Sequence, residues 1–323
     1  MRGLTRTTAR VAAATLAGAL ALGVTPGPGP RTARAAAPSP EVVVVTANLQ
    51  EAFDERDLRD MREMRVFVSR LLERAPAPDV VLLQEVRGAS AAYVAELLEA
   101  RTEHDFAVVR DPGPEPWARR GNVVVKSETA VLIDADTMAR AGRGGWLRQT
   151  HDPGDGAPGE TRTVKKTAYV PLEERATGMR VAVASAHFHL DNLLRTKTIA
   201  ARYKERWSVE ITRLLEREYP SSVHVWGGDL NASRCRDARA DGCVLSPFWK
   251  TMTTDPFRYD DVVYTVAVRD DDVVEKRTGH SDYVFADGAP VDAGSDITYK
   301  DELERDASVF YSDHRFFWAV VGE

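Results

Sequence analysis

Short unbroken runs of apolar residues recur along the chain and predict buried β-strands. The first two runs, at residues 41–46 and 80–84, are dominated by Val and Leu. Further runs predict strands at residues 106–110, 121–126, 130–134, 163–171, 179–185, 222–226, 262–268, 281–286 and 316–321. A stretch rich in Gly, Pro and Asp at residues 141–160 is predicted to be a loop between strands.

Longer stretches place apolar residues three or four positions apart, which is the spacing of an amphipathic helix. Residues 57–74 show this pattern and are followed by two prolines that would end a helix. A second helix is predicted at residues 90–100, and a long one from residue 192 to about residue 219. Strands and helices alternate without a recognisable linker, so we predict a single α/β domain.

The first 37 residues have the pattern of a secretory signal peptide. Three Arg residues precede an apolar run at 11–24, and small residues at 33–37 offer a cleavage site. This run of 14 residues is shorter than the roughly 20 that a membrane-spanning helix needs. We therefore predict a cleaved signal peptide at residues 1–37 and a secreted domain at residues 38–323, with no stable membrane anchor.

The charge of the chain argues against a broadly basic surface for nucleic acid. The 323 residues include 43 Lys and Arg and 49 Asp and Glu, a formal net charge of -6. The signal segment holds five Arg and no acidic residue, so its removal leaves 38 basic and 49 acidic residues, a net charge of -11. Any positive surface for a nucleic acid must therefore be local.

Two cysteines lie close together in the sequence, Cys235 and Cys243. In an exported protein such a pair favours a disulfide that closes a short loop. Two free thiols are the alternative, and a zinc site is disfavoured because no further ligands stand at the usual spacing.

Polar residues with catalytic potential lie at the ends of the apolar runs. They are Asn48, Glu85, His187, His189, Asp229, Asn231, Asp282, Asp313 and His314. Each alone has a structural explanation: Glu85 could cap a helix, Asp229 could stabilise a turn, and His187 could be a buried core residue. Their repeated position beside predicted strands instead indicates one site at a sheet edge.

Six segments with these residues resemble the endonuclease/exonuclease/phosphatase family, whose best-known members are deoxyribonuclease-I-like nucleases. The segments are TANLQ (46–50), LLQEV (82–86), SAHFHLD (185–191), GGDLNAS (227–233), SDYVF (281–285) and SDHRFF (312–317). They occur in the order of the family and span nearly all of the predicted mature chain. The resemblance implies a four-layered α/β sandwich, in which two packed mixed β-sheets are flanked by helices.

The resemblance also implies a divalent metal ion held by Asn48, Glu85 and Asp313. Oxygen ligands suit hard cations, so Mg²⁺ is expected, with Mn²⁺ or Ca²⁺ as alternatives. Gln50 occupies a position where the family often has an acidic residue.

Catalytic roles follow from the same resemblance for His187, Asp229, Asn231, Asp282 and His314. Asp229 would deprotonate or orient the attacking water, with Asn231 fixing its geometry. His314 would be paired with Asp282, and His187 would contact the phosphate or assist the leaving group. Whether Asp229 or His314 is the base stays open. The additional His189 could line the pocket or pack in the interior.

Several substrate classes are compatible with these residues. The leading hypothesis is a secreted, monomeric, metal-dependent phosphodiesterase that acts on nucleic acid, with DNA as the favoured substrate. Basic residues could contribute a local positive surface or simply form a solvated strand edge: Arg119, Arg120, Arg162, Lys165 and Lys166. The alternatives are a phospholipid or sphingomyelin phosphodiesterase, a small-molecule phosphatase, and an inactive binding module on the same scaffold.

Overall fold

A computed structural model describes residues 40–323 with gaps at residues 53–57, 114–116, 121–122, 153, 157–161, 236–243, 271–280 and 297–310. The predicted signal peptide and Cys243 lie outside the described residues, so cleavage and the Cys235–Cys243 disulfide stay predictions. Within the described ranges, no helix combines the length and apolar character needed to span a membrane.

The helices of the described residues are α1 (Leu58–Arg74), α2 (Gly88–Thr102), α3 (Lys197–Glu218), α4 (Pro247–Thr253) and α5 (Val262–Arg269). The first three lie close to the three predicted helices. The third begins later than predicted, because the chain first makes a 3₁₀ turn at Asp191–Leu193. Thr196 then caps α3 by accepting a hydrogen bond from the Ile199 amide at 3.2 Å.

Two segments adopt a structure other than the predicted one, and α4 and several strands form where no element was predicted. Residues 262–268, predicted as a strand, form α5, which buries its apolar residues along one side. The Asp261 side chain caps this helix by accepting from the Tyr264 amide. Val-rich runs favour strands, but the cap and the burial of one side override that preference here. The predicted loop at 141–160 contains a strand, because residues 145–150 pair with a neighbouring strand.

The strands form two sheets. In chain order they are β1 (Glu41–Ala52), β2 (Val80–Val86), β3 (Phe106–Arg110), β4 (Trp117–Arg120), β5 (Val123–Lys126), β6 (Thr129–Asp134), β7 (Met138–Arg140), β8 (Gly145–Thr150), β9 (Arg162–Glu174), β10 (Arg180–His187), β11 (Val223–Asp229), β12 (Asp260–Asp261), β13 (Asp282–Ala286), β14 (Ala289–Ser295) and β15 (Phe317–Gly322). The first sheet has the order β14-β15-β1-β2-β6-β3. The second has the order β12-β13-β11-β10-β9-β5-β4, and β7 and β8 also pair with β9.

Both sheets are mixed, and helices cover their outer faces. Parallel pairs occur in each sheet, β1 with β2 in the first and β10 with β11 in the second. The core between the sheets includes Val42, Leu82, Val131, Val170, Val183, Val225 and Phe317. Helices α1 and α2 pack on the first sheet through Met64, Phe67, Val94 and Leu98. Helices α3 and α4 pack on the second sheet through Tyr203, Trp207, Phe248 and Trp249. The predicted sandwich of two mixed sheets flanked by helices is confirmed.

Candidate active site

Three neighbouring strands of the second sheet bring polar residues into one row. Val183 of β10 and Val225 of β11 belong to the core between the sheets. Because strand side chains alternate, His187 and Asp229 face the same way at the ends of these strands. Asp229 is in register with His187 on one side and with Asp282 of β13 on the other. The pairing of the strands therefore fixes the spacing of this row.

The first sheet contributes Asn48 and Glu85 to the same place. Val44 of β1 faces the core between the sheets, so Asn48, four residues on, points toward the second sheet. Its Nδ2 donates to Glu85 Oε1 and to Asp229 Oδ2, each at 3.1 Å. A single amide thus holds two carboxylates, one from each sheet, close to each other.

Gln84 connects the two sheets next to this cluster. Its Nε2 donates to Ser185 Oγ at 3.0 Å, and Ser185 Oγ donates to the Leu83 carbonyl oxygen at 2.9 Å. Both side chains are completely buried. Buried polar groups with satisfied hydrogen bonds fix one relative position of the elements that carry them.

Backbone conformation around the site departs from ordinary strand geometry. Glu85 has a φ of 57° and Asn231 a φ of 48°, in the left-handed region that non-glycine residues rarely adopt. Regular alternation would turn Glu85 away from Gln84, toward the helices; the left-handed turn redirects it into the site. Strained residues of this kind cluster at functional sites in proteins.

The loop after β11 is held by hydrogen bonds to side chains of β11 and α3 and to the backbone of Phe188. Asp229 Oδ1 accepts from the Asn231 amide at 2.8 Å, and Asn231 Nδ2 donates to Asp229 Oδ2 and to the Phe188 carbonyl oxygen. The buried ammonium of Lys204 in α3 donates to the Asn231 carbonyl oxygen and to Asp191. This role of Lys204 was not predictable from the sequence, because Lys204 lies among many other charged residues of the predicted helix.

His314 lies between three carboxylates. Its Nδ1 is 2.8 Å from Asp282 Oδ2, and its Nε2 is 3.7 Å from Asp229 Oδ2 and 3.8 Å from Asp313 Oδ1. Burial lowers the pKa of this imidazole, but the three carboxylates outweigh burial and raise the pKa of His314 to about 10. The ring is therefore held as a donor toward Asp282.

His187 contacts carboxylates through both ring nitrogens. Its Nε2 is 3.6 Å from Glu85 Oε1 and 3.5 Å from Asp229 Oδ2, and its Nδ1 is 2.7 Å from Glu128 Oε1. Glu128 lies in the short link that crosses from β5 of the second sheet to β6 of the first. Burial raises the pKa of Glu128, but Lys165 and His187 reverse that effect and hold this pKa well below its usual range. Glu128 was not predicted as a site residue, because it lies in a short link and belongs to none of the recognised sequence segments.

His189 packs in the interior. It is 1% exposed, and its ring lies 5.1 Å from that of Tyr203 and 6.0 Å from that of His151. Burial, together with the charge of Lys165, lowers the pKa of His189 well below its ordinary value, so that the ring is neutral. Of the two alternatives open from the sequence, the structure places His189 in the packing behind the site.

The site residues line one cavity of about 560 Å³. Its walls include Gln50, Glu63, Glu85, Lys126, Glu128, Lys165, His187, Leu190, Leu193, Asp229, Asn231, Asp313 and His314. Asn48 and Asp282 stand behind the wall and orient the residues that form it. Asp313 is held at the rim by its amide, which donates to Gln50 Oε1 at 3.1 Å.

The donor set fits a hard divalent cation. Ligand atoms of Glu85, His187 and Asp229 lie within 4.8 Å of one another, and Asp313 lines the same cavity. Carboxylate oxygens predominate, which suits Mg²⁺, Mn²⁺ or Ca²⁺ better than a thiophilic metal. The Asn48 amide presents nitrogen to the carboxylates, while its oxygen accepts from the Gln50 amide at 2.9 Å. Asn48 therefore orients these two carboxylates.

The basic residues considered from the sequence lie in different environments. Lys165 is 4% exposed and lines the cavity, so a solvated strand edge is wrong for this residue. Lys166 instead lies over the ring of Trp146, 5.7 Å from its centre. The side chains of Arg119, Arg120 and Arg162 lie outside the part of the chain whose side chains are described.

Comparison with solved structures identifies the same fold. An endonuclease/exonuclease/phosphatase from Bacteroides vulgatus aligns over 88% of this chain and 99% of its own, with a TM-score of 0.59 and 15% identity. One from Leptotrichia buccalis covers 87% of this chain and 100% of its own, with a TM-score of 0.55 and 15% identity. The human Nocturnin catalytic domain with bound sulfate covers 87% and 94%, with a TM-score of 0.54 and 13% identity. At these identities the likeness shows the fold alone.

No curated protein matches the chain in sequence. The sequence model of the endonuclease/exonuclease/phosphatase family, however, matches residues 45–314, a span that begins before Asn48 and ends at His314. Members of this family are generally phosphoric ester hydrolases. The extent of this match, together with the sandwich of two sheets, shows that the chain belongs to the endonuclease/exonuclease/phosphatase family.

Proposed function

We propose that this protein is a secreted phosphodiester hydrolase that requires a divalent cation, Mg²⁺ by preference, and acts on DNA as a monomer. One observation carries the proposal: the Asn48 amide holds the Glu85 and Asp229 carboxylates together, at 3.1 Å each, beside His187 and His314 in one cavity. Secretion rests on the signal-peptide pattern of residues 1–37.

Glu85 and Asp313 are the residues that we assign to cation binding, with Asn48 orienting Glu85. When bound, the cation supplies positive charge to a phosphate oxygen as negative charge builds up in the transition state. The carboxylates of Glu85, Asp229 and Asp313 line one cavity, and a bound cation would reduce their mutual repulsion, which supports this assignment.

Asp229 and Asn231 are assigned to the attacking water. Asp229 receives hydrogen bonds from Asn48 and Asn231, so its carboxylate is fixed in position before substrate binds. His314 Nε2 lies 3.7 Å from Asp229 Oδ2, and Asp282 lies behind the ring. The proton that the water releases is taken up within the group formed by Asp229, His314 and Asp282.

His187 is assigned to the phosphate and the leaving group. Its Nδ1 faces the buried carboxylate of Glu128 at 2.7 Å, which sets the orientation of the ring and directs Nε2 toward Glu85 and Asp229. Nε2 is then placed to donate to a phosphate oxygen or to the departing oxygen.

The test is cleavage of supercoiled plasmid DNA by the mature protein, with Mg²⁺ or with EDTA. We expect nicking with Mg²⁺ only, and a loss of roughly 10³-fold or more in rate for Asp229→Asn and His314→Ala. The matched control is Asp292→Asn, an exposed carboxylate on β14, which should nick at the wild-type rate. Full activity of both site variants, with unchanged melting temperatures, would refute the assignment.

A second substrate tests phosphodiester hydrolysis independently of the preference for DNA. Bis(4-nitrophenyl) phosphate reports diester hydrolysis without a nucleic acid. If it is cleaved with Mg²⁺, Mn²⁺ or Ca²⁺ and plasmid is not, the DNA proposal is wrong and a lipid or small phosphodiester takes its place. If neither is cleaved with any of the three cations, the hydrolase proposal itself fails.

A further inference from the structure

His189 is a buried histidine that the proposed mechanism does not use. It is 1% exposed, and neither of its ring nitrogens has a hydrogen-bond partner among the described residues. A buried polar atom without a partner costs free energy, so such atoms are rare in folded proteins and commonly mark an ordered water or a bound ion. The two nitrogens of His189 therefore indicate a ligand beside this ring.

His151 lies next to His189, and it too is buried. Its Nδ1 is 3.2 Å from the carbonyl oxygen of Asp152. A carbonyl oxygen only accepts, so this contact places the ring proton on Nδ1 and leaves a lone pair on Nε2. Histidines that bind metal ions typically have this arrangement, in which one nitrogen donates to a backbone carbonyl and the other binds the ion.

The separation of the two rings suits one shared metal ion. Zinc binds a histidine nitrogen at about 2.0–2.1 Å, which puts the centres of two rings on the same ion roughly 5–6 Å apart. The ring centres of His151 and His189 are 6.0 Å apart. The ring planes are inclined at 67°, so the rings are not stacked, and the edges that carry the nitrogens can point to a common place.

Backbone contacts hold the two segments that carry these histidines side by side. One histidine directly follows β8, and the other follows the end of β10 by two residues. Beyond them, Gly156 forms an antiparallel bridge with Leu194, and the Arg195 amide donates to the Asp155 carbonyl oxygen at 2.8 Å. The fold therefore sets the relative position of the two rings before any ion binds.

The cavity beside His151 offers a carboxylate to a cation. This second cavity has a volume of about 630 Å³, and its lining includes His151, Asp152 and Asp155 together with charged residues of α3. Asp152 Oδ1 is 3.1 Å from Arg206 Nη1, whereas the Asp155 carboxylate has no ion pair with another described residue. Asp155 therefore has oxygen atoms available to a metal ion in this cavity.

One positive charge near His189 opposes a cation. The charge of Lys165 acts on the His189 ring. The Lys165 ammonium is itself 3.1 Å from Glu128 Oε1, which reduces its repulsion of a second positive charge.

We infer that His151 and His189 form a second metal site, apart from the active-site cavity, which binds Zn²⁺ through one nitrogen of each ring. Imidazole nitrogens suit zinc better than they suit the hard cations expected at the active site. The remaining positions on the ion are open to water and to the Asp155 carboxylate. The bound ion connects the segment after β8 with the segment that directly follows His187.

The test observes the histidine rings of the mature protein by long-range proton–nitrogen NMR while Zn²⁺ is added to a sample freed of metal with EDTA and then desalted. We expect one ring nitrogen of His151 and one of His189 to shift together, and to stop shifting once a single ion is bound. Zn²⁺ at the active site would instead shift His187 or His314, so one titration distinguishes the two sites.

Removal of one ring should release the ion from the other. His151→Gln should abolish the Zn²⁺-dependent shift of His189 and weaken binding at this site by at least about tenfold, since the loss of even an outer partner of a ligand costs that much. His104→Gln is the matched control, because that ring also contacts a protein oxygen, on Asp134, in another part of the chain. It should leave the paired shifts unchanged, and melting temperatures in EDTA verify that both variants are folded.

Two outcomes would overturn the inference: Zn²⁺ leaves the signals of His151 and His189 unchanged in the wild type, or His189 still shifts in His151→Gln. The first needs no variant, so it applies even if His151→Gln does not fold. The titration measures binding and not cleavage. A protein that binds Zn²⁺ at this pair but cleaves no phosphodiester would refute the proposed function alone.

Discussion

At the scale of single residues, the site depends on backbone positions that only certain side chains can occupy. Gly228, in the segment between Trp226 and Asp229, has a φ of 140°. A Cβ atom there would lie 1.8 Å from the carbonyl oxygen of Ala186, far inside contact distance. The second glycine of the GGDLNAS segment is therefore required by the close approach of β10 and β11, one residue before Asp229.

We predict that Gly228→Ala lowers the free energy of unfolding by about 2–4 kcal/mol and abolishes most activity, because the clash displaces Asp229. Gly178→Ala is the matched control: its φ is also positive, at 78°, but nothing lies within 4 Å of the added Cβ. It should lose only about 1 kcal/mol. Urea unfolding of both variants measures the difference, and equal losses would contradict the steric explanation.

His224 gives a second prediction at this scale, away from the site. Its Nδ1 is 2.6 Å from Asp287 Oδ2 and its Nε2 is 2.9 Å from the Tyr219 carbonyl oxygen, so both nitrogens face acceptors. Burial lowers the pKa of His224, but Asp287, Tyr219 and Glu216 outweigh it and raise this pKa above its ordinary value of 6.5.

A raised pKa means that the folded state binds this proton more tightly than the unfolded state. The stabilisation is complete below the ordinary pKa and is lost as the pH rises through the folded one. We therefore expect His224→Gln to lower the melting temperature more at about pH 6 than at about pH 9. Thermal unfolding across this range is the measurement, and a difference that grows with pH would contradict the charged pair.

Some of the site residues were predictable from the sequence and others were not. Asp229, Asn231 and His314 lie in segments whose order was recognisable, and the structure places all three at one cavity. Glu128 was not predicted as a site residue, because it lies in a link between two strands, and such a link has no periodicity that indicates where its side chains point. Only the crossing from one sheet to the other brings Glu128 to within 2.7 Å of His187.

At the scale of elements, helix α3 has a function beyond covering the second sheet. Lys204 is 3% exposed and donates to the Asn231 carbonyl oxygen, so the helix holds the loop that carries Asn231. The apolar spacing of residues 192–219 predicted the helix but not this contact, since one buried lysine cannot be told from its exposed neighbours by periodicity. The strand prediction for residues 262–268, which form α5, was wrong for a related reason. Local composition does not indicate whether a segment is capped or which of its sides is buried.

We predict that Lys204→Met lowers kcat by about 10–100-fold with a smaller effect on KM, because Asn231 loses its support while the cavity walls stay in place. The free energy of unfolding should fall by roughly 1–3 kcal/mol, since Asp191 and the Asn231 carbonyl lose a buried donor. Lys250→Met, at an exposed position of α4, is the control. A loss of stability with unchanged kcat would show that Lys204 is structural only.

At the scale of the whole molecule, acidic residues from both sheets meet at one cavity, so cation binding should stabilise the entire domain. A ligand that binds only the folded state adds about 2–3 kcal/mol when present at roughly a hundred times its dissociation constant. We expect Mg²⁺ to raise the melting temperature of the wild type relative to EDTA, and to raise that of Glu85→Gln much less. An equal shift in both proteins would place the stabilising cation elsewhere.

The architecture was predictable at this scale only in part. Buried runs of Val and Leu at residues 41–46 and 80–84 predicted central strands, and these run through the first sheet as β1 and β2. The strand order was not predictable from periodicity, because alternation defines the faces of a strand and not its neighbours. The layered arrangement was expected from the resemblance of the six segments to the family and not from the pattern of apolar residues.

The register of His187, Asp229 and Asp282 across three strands has a consequence for how this domain can change over evolution. An insertion or deletion of one residue within β10, β11 or β13 would turn an entire strand over and carry its site residue to the helical side. Length variation that preserves activity must therefore fall in the connections beyond this row. New specificities can arise there by loop replacement, while the spacing of the three side chains is inherited unchanged from the strand pairing.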